Sequence, residues 1–184
     1  SNTGLEYEIM VIELSSFQLF WTRDLLLDIA MVTNLEPDHI DWHGSLDKYY
    51  RAKGKIASMI KSGGALICQE RDLSFLLREA PTPVEAYSLT WVKGRAKEKG
   101  TRLLMKTGHA TLASGGVERT LFRYSDVNLL GRHNLENAAM AAASFLLKGG
   151  EENTLQTALR TFKAPSHRCE PVGVVDGVSF IADS

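Results

Sequence analysis

Short apolar runs alternate with segments of helical spacing along the first half of the chain. The first run, Ile9 to Ile12, is typical of a strand buried on both faces. The pattern predicts strands at 8–13, 28–34, 65–68 and 84–89 and helices at 45–61 and 73–78. Ser45 is the expected N-cap of the first helix, and Gly63-Gly64 its expected stop. This alternation predicts an α/β fold with a mostly parallel, Rossmann-like sheet flanked by helices.

The pattern changes after Trp91. Short runs separated by glycines predict a small antiparallel meander, with strands at 102–106, 110–114 and 117–123. Helical spacing returns at 134–147 and 154–162, and Asp176-Gly177 suits the type I′ turn of a final hairpin at 172–182. The chain leaves its last predicted helix near Ala164-Pro165. We therefore expect a domain boundary there, giving units 1–164 and 165–184.

Composition narrows the classes of function. The 184 residues are 44% hydrophobic, and 21 basic against 22 acidic residues leave a net charge of −1. This balance argues against nucleic-acid binding, and no run has the length or character of a membrane span or secretory signal. Cys68 and Cys169 lack a CxxC partner, which favours reduced thiols in a cytoplasmic protein.

Two predicted strands end in residues that can bind metal or phosphate. Glu13 closes the first run, and Thr33-Asn34-Leu35-Glu36-Pro37-Asp38-His39 follows the second. Ligands of open α/β sheets bind outside the carboxyl ends of strands, so we interpret the two ends as one metal-and-phosphate site. Carboxylates suit Mg²⁺, whereas the imidazole of His39 is a less usual ligand. Taken singly, Glu13 and His39 are equally well explained as ordinary structural residues.

Lys53 falls inside the apolar stripe of the 45–61 helix, on the face expected to meet the sheet. A buried ammonium is costly unless it is paired or modified. Lys53 is therefore either a lysine that extends along the edge of the stripe or a functional lysine. Position alone leaves both interpretations open.

The second half offers weaker candidates. Asn134 and Asn137 open an Ala-rich helix, where they suit either helix capping or recognition of an adenine edge. Arg168 follows a proline and is either exposed or a phosphate ligand. Asp183 follows a predicted strand, as Glu13 does. No Gly-x-x-x-x-Gly-Lys-[Ser/Thr] loop occurs, so we expect any triphosphate loop to lie outside this sequence.

Six segments together resemble the Mur ligases, ATP-dependent amino-acid ligases of peptidoglycan synthesis. They are Glu-Leu-Ser-Ser-Phe-Gln-Leu (13–19), Thr-Asn-Leu-Glu-Pro-Asp-His-Ile-Asp (33–41), Tyr-Arg-Ala-Lys (50–53), Gly-Arg-His-Asn-Leu-Glu-Asn-Ala (131–138), His-Arg-Cys-Glu (167–170) and Ile-Ala-Asp-Ser (181–184). They follow the family's order over nearly the whole chain. The first is most similar to the branch of the family that adds D-glutamate to UDP-N-acetylmuramoyl-L-alanine.

The resemblance implies roles for the candidates. Glu13 corresponds to a magnesium ligand and His39 to a residue that holds a second magnesium ion. Lys53 corresponds to a lysine carbamylated by CO₂, which would place an anion beside the metal. The resemblance thus expects these three side chains to converge on one pocket.

It also implies binding residues. Ser15 and Gln18 match positions that line the muramyl substrate and phosphate. Asn134, Asn137, Arg168 and Asp183 match positions around the nucleotide, Arg168 and Asp183 at the domain junction.

The implied enzyme has three domains and uses ATP and Mg²⁺ to form an amide through an acyl phosphate. This chain resembles its central ATP-binding domain without the phosphate-loop part, followed by the start of the domain that binds the amino acid. We therefore expect the 184 residues alone to be inactive. The open alternatives are another Mur or folylpolyglutamate-type ligase, and a non-catalytic α/β nucleotide-binding module.

Overall fold

A six-stranded sheet with helices on both faces forms the main body of the protein. The computed structural model describes residues 8–81, 83–93, 100–129, 131–165 and 170–182. The sheet strands, in spatial order, are β1 (Leu27–Val32), β2 (Ile60–Gln69), β3 (Glu85–Trp91), β4 (Arg102–Lys106), β5 (His109–Ser114) and β6 (Val117–Arg123). The helices are α1 (Ser16–Trp21), α2 (Ile40–His43), α3 (Leu46–Ser58), α4 (Glu70–Leu76), α5 (Arg132–Leu147) and α6 (Glu152–Thr161).

The first four strands run parallel and the last two turn back. β1, β2, β3 and β4 pair in parallel, whereas β4, β5 and β6 form an antiparallel meander that continues the same sheet. Helices α2 and α3 connect β1 to β2, and α4 connects β2 to β3. The predicted α/β class, the parallel sheet and the meander are thus confirmed.

The core lies on both faces of the central strands. In β2, Leu66 and Cys68 pack on the face covered by α3 and α4, while Ile67 between them packs on the face covered by α5. All three are completely buried. Burial on both faces is why this segment reads as a continuous apolar run rather than an alternating one. Burial also raises the pKa of the Cys68 thiol to about 12.

The predicted first strand, at 8–13, is wrong. Although the structure describes each of these residues, none lies in a strand, and Ile9, Met10, Val11 and Ile12 are 47–92% exposed. An apolar run becomes a buried strand only when it pairs with a neighbouring strand and other elements cover its side chains. β1 is the outer strand of the described sheet, and the 8–13 segment does not pair with its open side.

Gly63-Gly64 also acts differently from the prediction. α3 begins after Ser45, whose Oγ accepts the Lys48 amide at 3.3 Å, but it ends at Ser58, and β2 begins at Ile60. Both glycines therefore lie inside β2. A Cβ at Gly64 would come within 2.8 Å of the Asp28 carbonyl oxygen on β1. The second glycine thus permits close approach of two strands rather than ending a helix.

The final hairpin is confirmed as a separate two-stranded sheet, β7 (Glu170–Val175) with β8 (Val178–Ala182). Asp176 and Gly177 have φ of 50° and 78°, as a type I′ turn requires. The boundary near Ala164-Pro165 stays a prediction. None of the described helices has both the length and the apolar character to cross a bilayer.

Leu66→Ala is expected to destabilise the fold by about 2–5 kcal/mol, because Leu66 is fully buried in β2 and the change leaves a cavity. Urea unfolding followed by circular dichroism measures the loss. Leu26→Ala is the matched control, since Leu26 is 71% exposed and the same truncation there is expected to cost less than about 0.5 kcal/mol. Equal losses at the two positions would contradict the described core.

Candidate functional site

The carboxyl ends of three parallel strands meet the start of α5 at one edge of the sheet. The side chain of Gln69, at the end of β2, donates to the Thr33 carbonyl at 3.3 Å and to Glu136 Oε2 at 3.1 Å. Trp91, at the end of β3, donates its indole N–H to Glu136 Oε1 at 2.5 Å. This edge, where α/β folds bind ligands, is therefore closed by polar contacts.

Lys53 reaches the same edge from α3. Its Nζ lies 3.4 Å from the Asn34 carbonyl oxygen, just beyond β1, and 5.4 Å from the centroid of the Tyr49 ring. The side chain is half-buried. Lys53 thus lies on the side of α3 that faces the sheet, as predicted. Its amine extends to the end of a strand and has a polar partner there.

Asp72, in the first turn of α4, is the buried carboxylate of this region. Its side chain is 12% exposed, and its Oδ2 has no hydrogen-bond partner. Burial raises the pKa of Asp72; Arg71 and then Lys53 oppose the rise, and Glu36 adds to it. Lys53 is therefore one of the charged groups whose field acts on Asp72.

His39 occupies a strained position between β1 and α2. It has φ of 50°, in the left-handed region, and is the N-cap of α2. Its Nε2 lies 3.3 Å from Asp38 Oδ2, and its half-exposed ring lies 4.9 Å from the Phe17 ring. A non-glycine residue held in this region is a signature of functional loops as well as of turns.

A buried hydrogen bond joins the segment of Glu13 to the segment of His39. His43 Nε2 lies 3.0 Å from Ser16 Oγ, and the two residues are 6% and 3% exposed. The His43 ring stacks on Phe17 at 5.7 Å. Helices α1 and α2 are therefore packed together, although 27 positions separate the two bonded residues.

Ser15 and Gln18 form the capping box of α1. Ser15 Oγ accepts the Gln18 amide at 3.2 Å, and Gln18 Oε1 accepts the Ser15 amide at 2.8 Å. Both side chains are exposed, and each satisfies a backbone group of the other. Glu13 lies two residues before this cap and is exposed.

The three proposed metal ligands do not form a complete cation site. Across the described residues, no three His, Cys, Asp or Glu side chains converge as metal ligands would. Glu13 belongs to an extended, exposed segment, and Lys53 carries an amine rather than an oxygen donor. The unmodified side chains therefore supply fewer oxygen donors than Mg²⁺ takes, and a complete site would need a further donor.

Asn134 and Asn137 line one cavity of about 680 Å³ between α5 and α6. His133 and, at the end of the α6 segment, Ala164 and Pro165 contribute to the same wall. Arg168 and Asp183 lie outside the described residues. The structure thus places the two asparagines together, beside the stretch of chain that leads to Arg168.

The rest of this cavity is apolar, with Ala138, Ala142 and Leu155 among its walls. Its described lining contains neither lysine nor arginine. A flat heterocycle with edge hydrogen-bonding groups suits such a lining, whereas a triphosphate does not. The cavity is therefore suited to the base end of a nucleotide.

Sequence reasoning missed Glu136, Trp91 and His43. The glutamate sits among residues that suggested capping, and the histidine ends α2, a helix of four residues that is too short to show helical spacing. One available signal was the Ser-x-x-Gln spacing of Ser15 and Gln18, which is that of a capping box and predicts α1.

Asp72→Asn is expected to be more stable than the parent at pH 7. The folded pKa of Asp72 lies above its ordinary 3.8, so the native state binds the proton more tightly and ionisation lowers stability as pH rises through that window. The advantage of the variant should shrink on acidification below about pH 4. Urea midpoints from pH 3 to 8 measure it; an advantage independent of pH would contradict the assignment.

Comparison with known proteins identifies the fold and the family. The Mur ligase middle domain matches residues 2–145. UDP-N-acetylmuramoylalanine–D-glutamate ligases are 34% identical over 97% of this chain in Thermobifida fusca and 32% identical over 96% in Alkaliphilus oremlandii, in each case covering 38% of the relative. A crystal structure of MurF from Acinetobacter baumannii aligns with a TM-score of 0.62 and 20% identity over 85% of this chain and 34% of that one.

The chain thus spans about 38% of the length of the curated relatives it matches. The structural likeness, at 20% identity, supports the α/β fold, and the family match extends through the segments of Glu13, His39, Lys53 and Asn134. The predicted resemblance is confirmed: this chain belongs to the Mur ligase family and matches its middle domain.

Proposed function

We propose that this chain is the central part of an ATP-dependent ligase that adds D-glutamate to UDP-N-acetylmuramoyl-L-alanine in peptidoglycan synthesis. The observation that carries the proposal is the likeness to D-glutamate ligases over nearly the whole chain, at 34% and 32% identity. Helix α1, which follows Glu13, contacts His39 through Phe17 and packs on α3, the helix of Lys53, and this packing supports the proposal. ATP and uridine nucleotide substrates place the activity in the cytoplasm.

In this proposal the reaction proceeds in two steps. An oxygen of the substrate carboxylate attacks the γ-phosphorus of ATP, and ADP leaves. The amine of D-glutamate then attacks the acyl carbon, phosphate leaves with the electron pair of the broken C–O bond, and the amine loses a proton. Phosphoryl transfer depends mainly on positioning and charge neutralisation, so the protein's task is to hold the two substrates in line.

Glu13, His39 and Lys53 are the proposed metal-binding and catalytic residues. Mg²⁺ would neutralise phosphate charge, and a carbamate on Lys53 would supply the oxygen that its amine lacks. Glu13 and His39 alone would not complete the site, because no third His, Cys, Asp or Glu side chain of the described residues joins them. The buried contact between Ser16 and His43 already holds the following helix against the loop of His39.

Ser15 and Gln18 are the proposed contacts to the muramyl substrate. Because their side chains currently cap α1, substrate binding would either use their outer atoms or exchange one capping bond for a substrate bond. Their exposure leaves both open to solvent.

Asn134 and Asn137 are the proposed contacts to the adenine base. An asparagine amide offers both the donor and the acceptor that an adenine edge needs. Their shared cavity has the size and lining for the base. Arg168 and Asp183 are proposed to contact the nucleotide from the junction with the next domain, since they match the family's positions there.

The longest reading frame that contains this chain is expected to release phosphate with D-glutamate and not with L-alanine, L-lysine or meso-diaminopimelate. A coupled phosphate assay with UDP-N-acetylmuramoyl-L-alanine measures it. Lys53→Ala in that protein should lower kcat by at least about a hundredfold, because a charged group near the transferred phosphoryl is lost. Turnover with L-lysine instead of D-glutamate would contradict the proposed specificity. The 184-residue chain by itself is expected to be inactive.

Lys53 is expected to be unmodified in the isolated chain. A lysine carbamate needs a metal partner to persist, and no three His, Cys, Asp or Glu side chains of the described residues converge to hold a metal; the Lys53 amine instead donates to the Asn34 carbonyl at 3.4 Å. Carbon-13 NMR of the chain in labelled bicarbonate is expected to show no carbamate signal from Lys53. Lys53→Arg is the control, because arginine at this position cannot form that carbamate. A signal lost specifically in that variant would contradict the expectation.

A further inference from the structure

Glu136 connects α5 to the ends of two strands through three neighbours. Its Oε1 accepts the Trp91 indole N–H at 2.5 Å and lies 3.5 Å from Arg132 Nε, and its Oε2 accepts from Gln69 at 3.1 Å. The Arg132 guanidinium lies over the Trp91 ring, 3.9 Å from its centroid. Both carboxylate oxygens of Glu136 are therefore engaged, and its side chain is only 20% exposed.

These contacts hold the first two turns of α5 at a defined rotation, while the buried Ala139, Met140 and Ala143 hold the turns that follow. Successive residues of a helix are about 100° apart, so Glu136 projects about 160° away from Asn134 and about 100° from Asn137. One side of the first two turns thus faces the strand ends while the other faces the cavity. Holding the first side determines where the two asparagine amides point.

The N-cap of α5 does not fix that rotation. It is Gly131, with φ of 94°, which has no side chain to bond the first-turn amides. Gln69 adds a second link, because the amide that donates to Glu136 also donates to the Thr33 carbonyl beyond β1. The Glu136 carboxylate therefore links the first turns of α5, through Gln69 and Trp91, to the ends of β1, β2 and β3.

We propose that Glu136 is a positioning residue, which orients Asn134 and Asn137 toward a purine base in the cavity between α5 and α6. The inference rests on the proposed function only for the identity of the base. Its structural part, that removal of the Glu136 carboxylate turns the asparagine amides, is independent of any nucleotide.

Glu136→Ala, Glu136→Gln and Trp91→Phe in the full 184-residue chain test the proposal, with adenosine as the probe. Adenosine carries the base without phosphates and so reports on the cavity alone. Glu118→Ala is the matched control, since Glu118 also makes an ion pair, at 2.5 Å with Lys106, but both of these residues belong to strands of the meander. ¹⁵N NMR follows the side-chain amides of Asn134 and Asn137 and the indole N–H of Trp91.

In Glu136→Ala the Asn134 and Asn137 amide signals should shift, and the adenosine dissociation constant should rise by about tenfold, because a smaller fraction of the molecules then holds the amides in the binding orientation. Glu136→Gln should restore most of the parental behaviour, because its carbonyl oxygen still accepts from Trp91. Trp91→Phe should fall between the two, and Glu118→Ala should match the parent.

Unchanged Asn134 and Asn137 signals in Glu136→Ala, with a shifted Trp91 indole, would overturn the proposal. Glu136→Gln and Trp91→Phe decide the matter if the alanine variant does not fold. Shifted asparagine signals without any response to adenosine in the parent would retain the positioning role and remove the proposed base site instead.

Discussion

Parallel pairing of β2 between β1 and β3 is the constraint on which the rest of the structure depends. Because side chains of β2 are buried on both faces, helices must cover both sides of the sheet, and the connections between strands must cross over. Parallel crossovers bring the carboxyl ends of the strands to one edge. Thr33, Gln69 and Trp91 therefore meet there without being close in sequence.

Local patterns predicted most of the fold. The meander and the hairpin followed from glycine turns, whose backbone requirement is local, and the parallel strands followed from apolar runs. The run at Ile9 to Ile12 has the same composition but lies exposed, because acceptance by a sheet depends on neighbours that a local pattern does not contain. The Gly63-Gly64 prediction failed for the same reason: close approach to β1 is a tertiary requirement.

The sequence indicated a site residue where a polar or charged side chain occupies a position that the pattern predicts to be apolar. Lys53, a charge in an apolar stripe, is such a residue, and its amine does extend to a strand end. Glu136 and His43 were missed because a glutamate on a helix and a histidine at the end of a four-residue helix carry no signal of function until the fold brings Trp91 and Ser16 to them. The catalytic and binding roles of the named residues remain proposals, since resemblance alone assigns them.

The burial of Cys68 has a consequence for chemical behaviour. Its sulfur is completely buried near the carboxyl end of β2 and has a pKa of about 12, so almost none of it is thiolate at neutral pH. Alkylating reagents and oxidants can reach this sulfur only when the central strand separates from its neighbours. The rate at which Cys68 becomes labelled thus reports the rate at which β2 separates from its neighbours in the sheet.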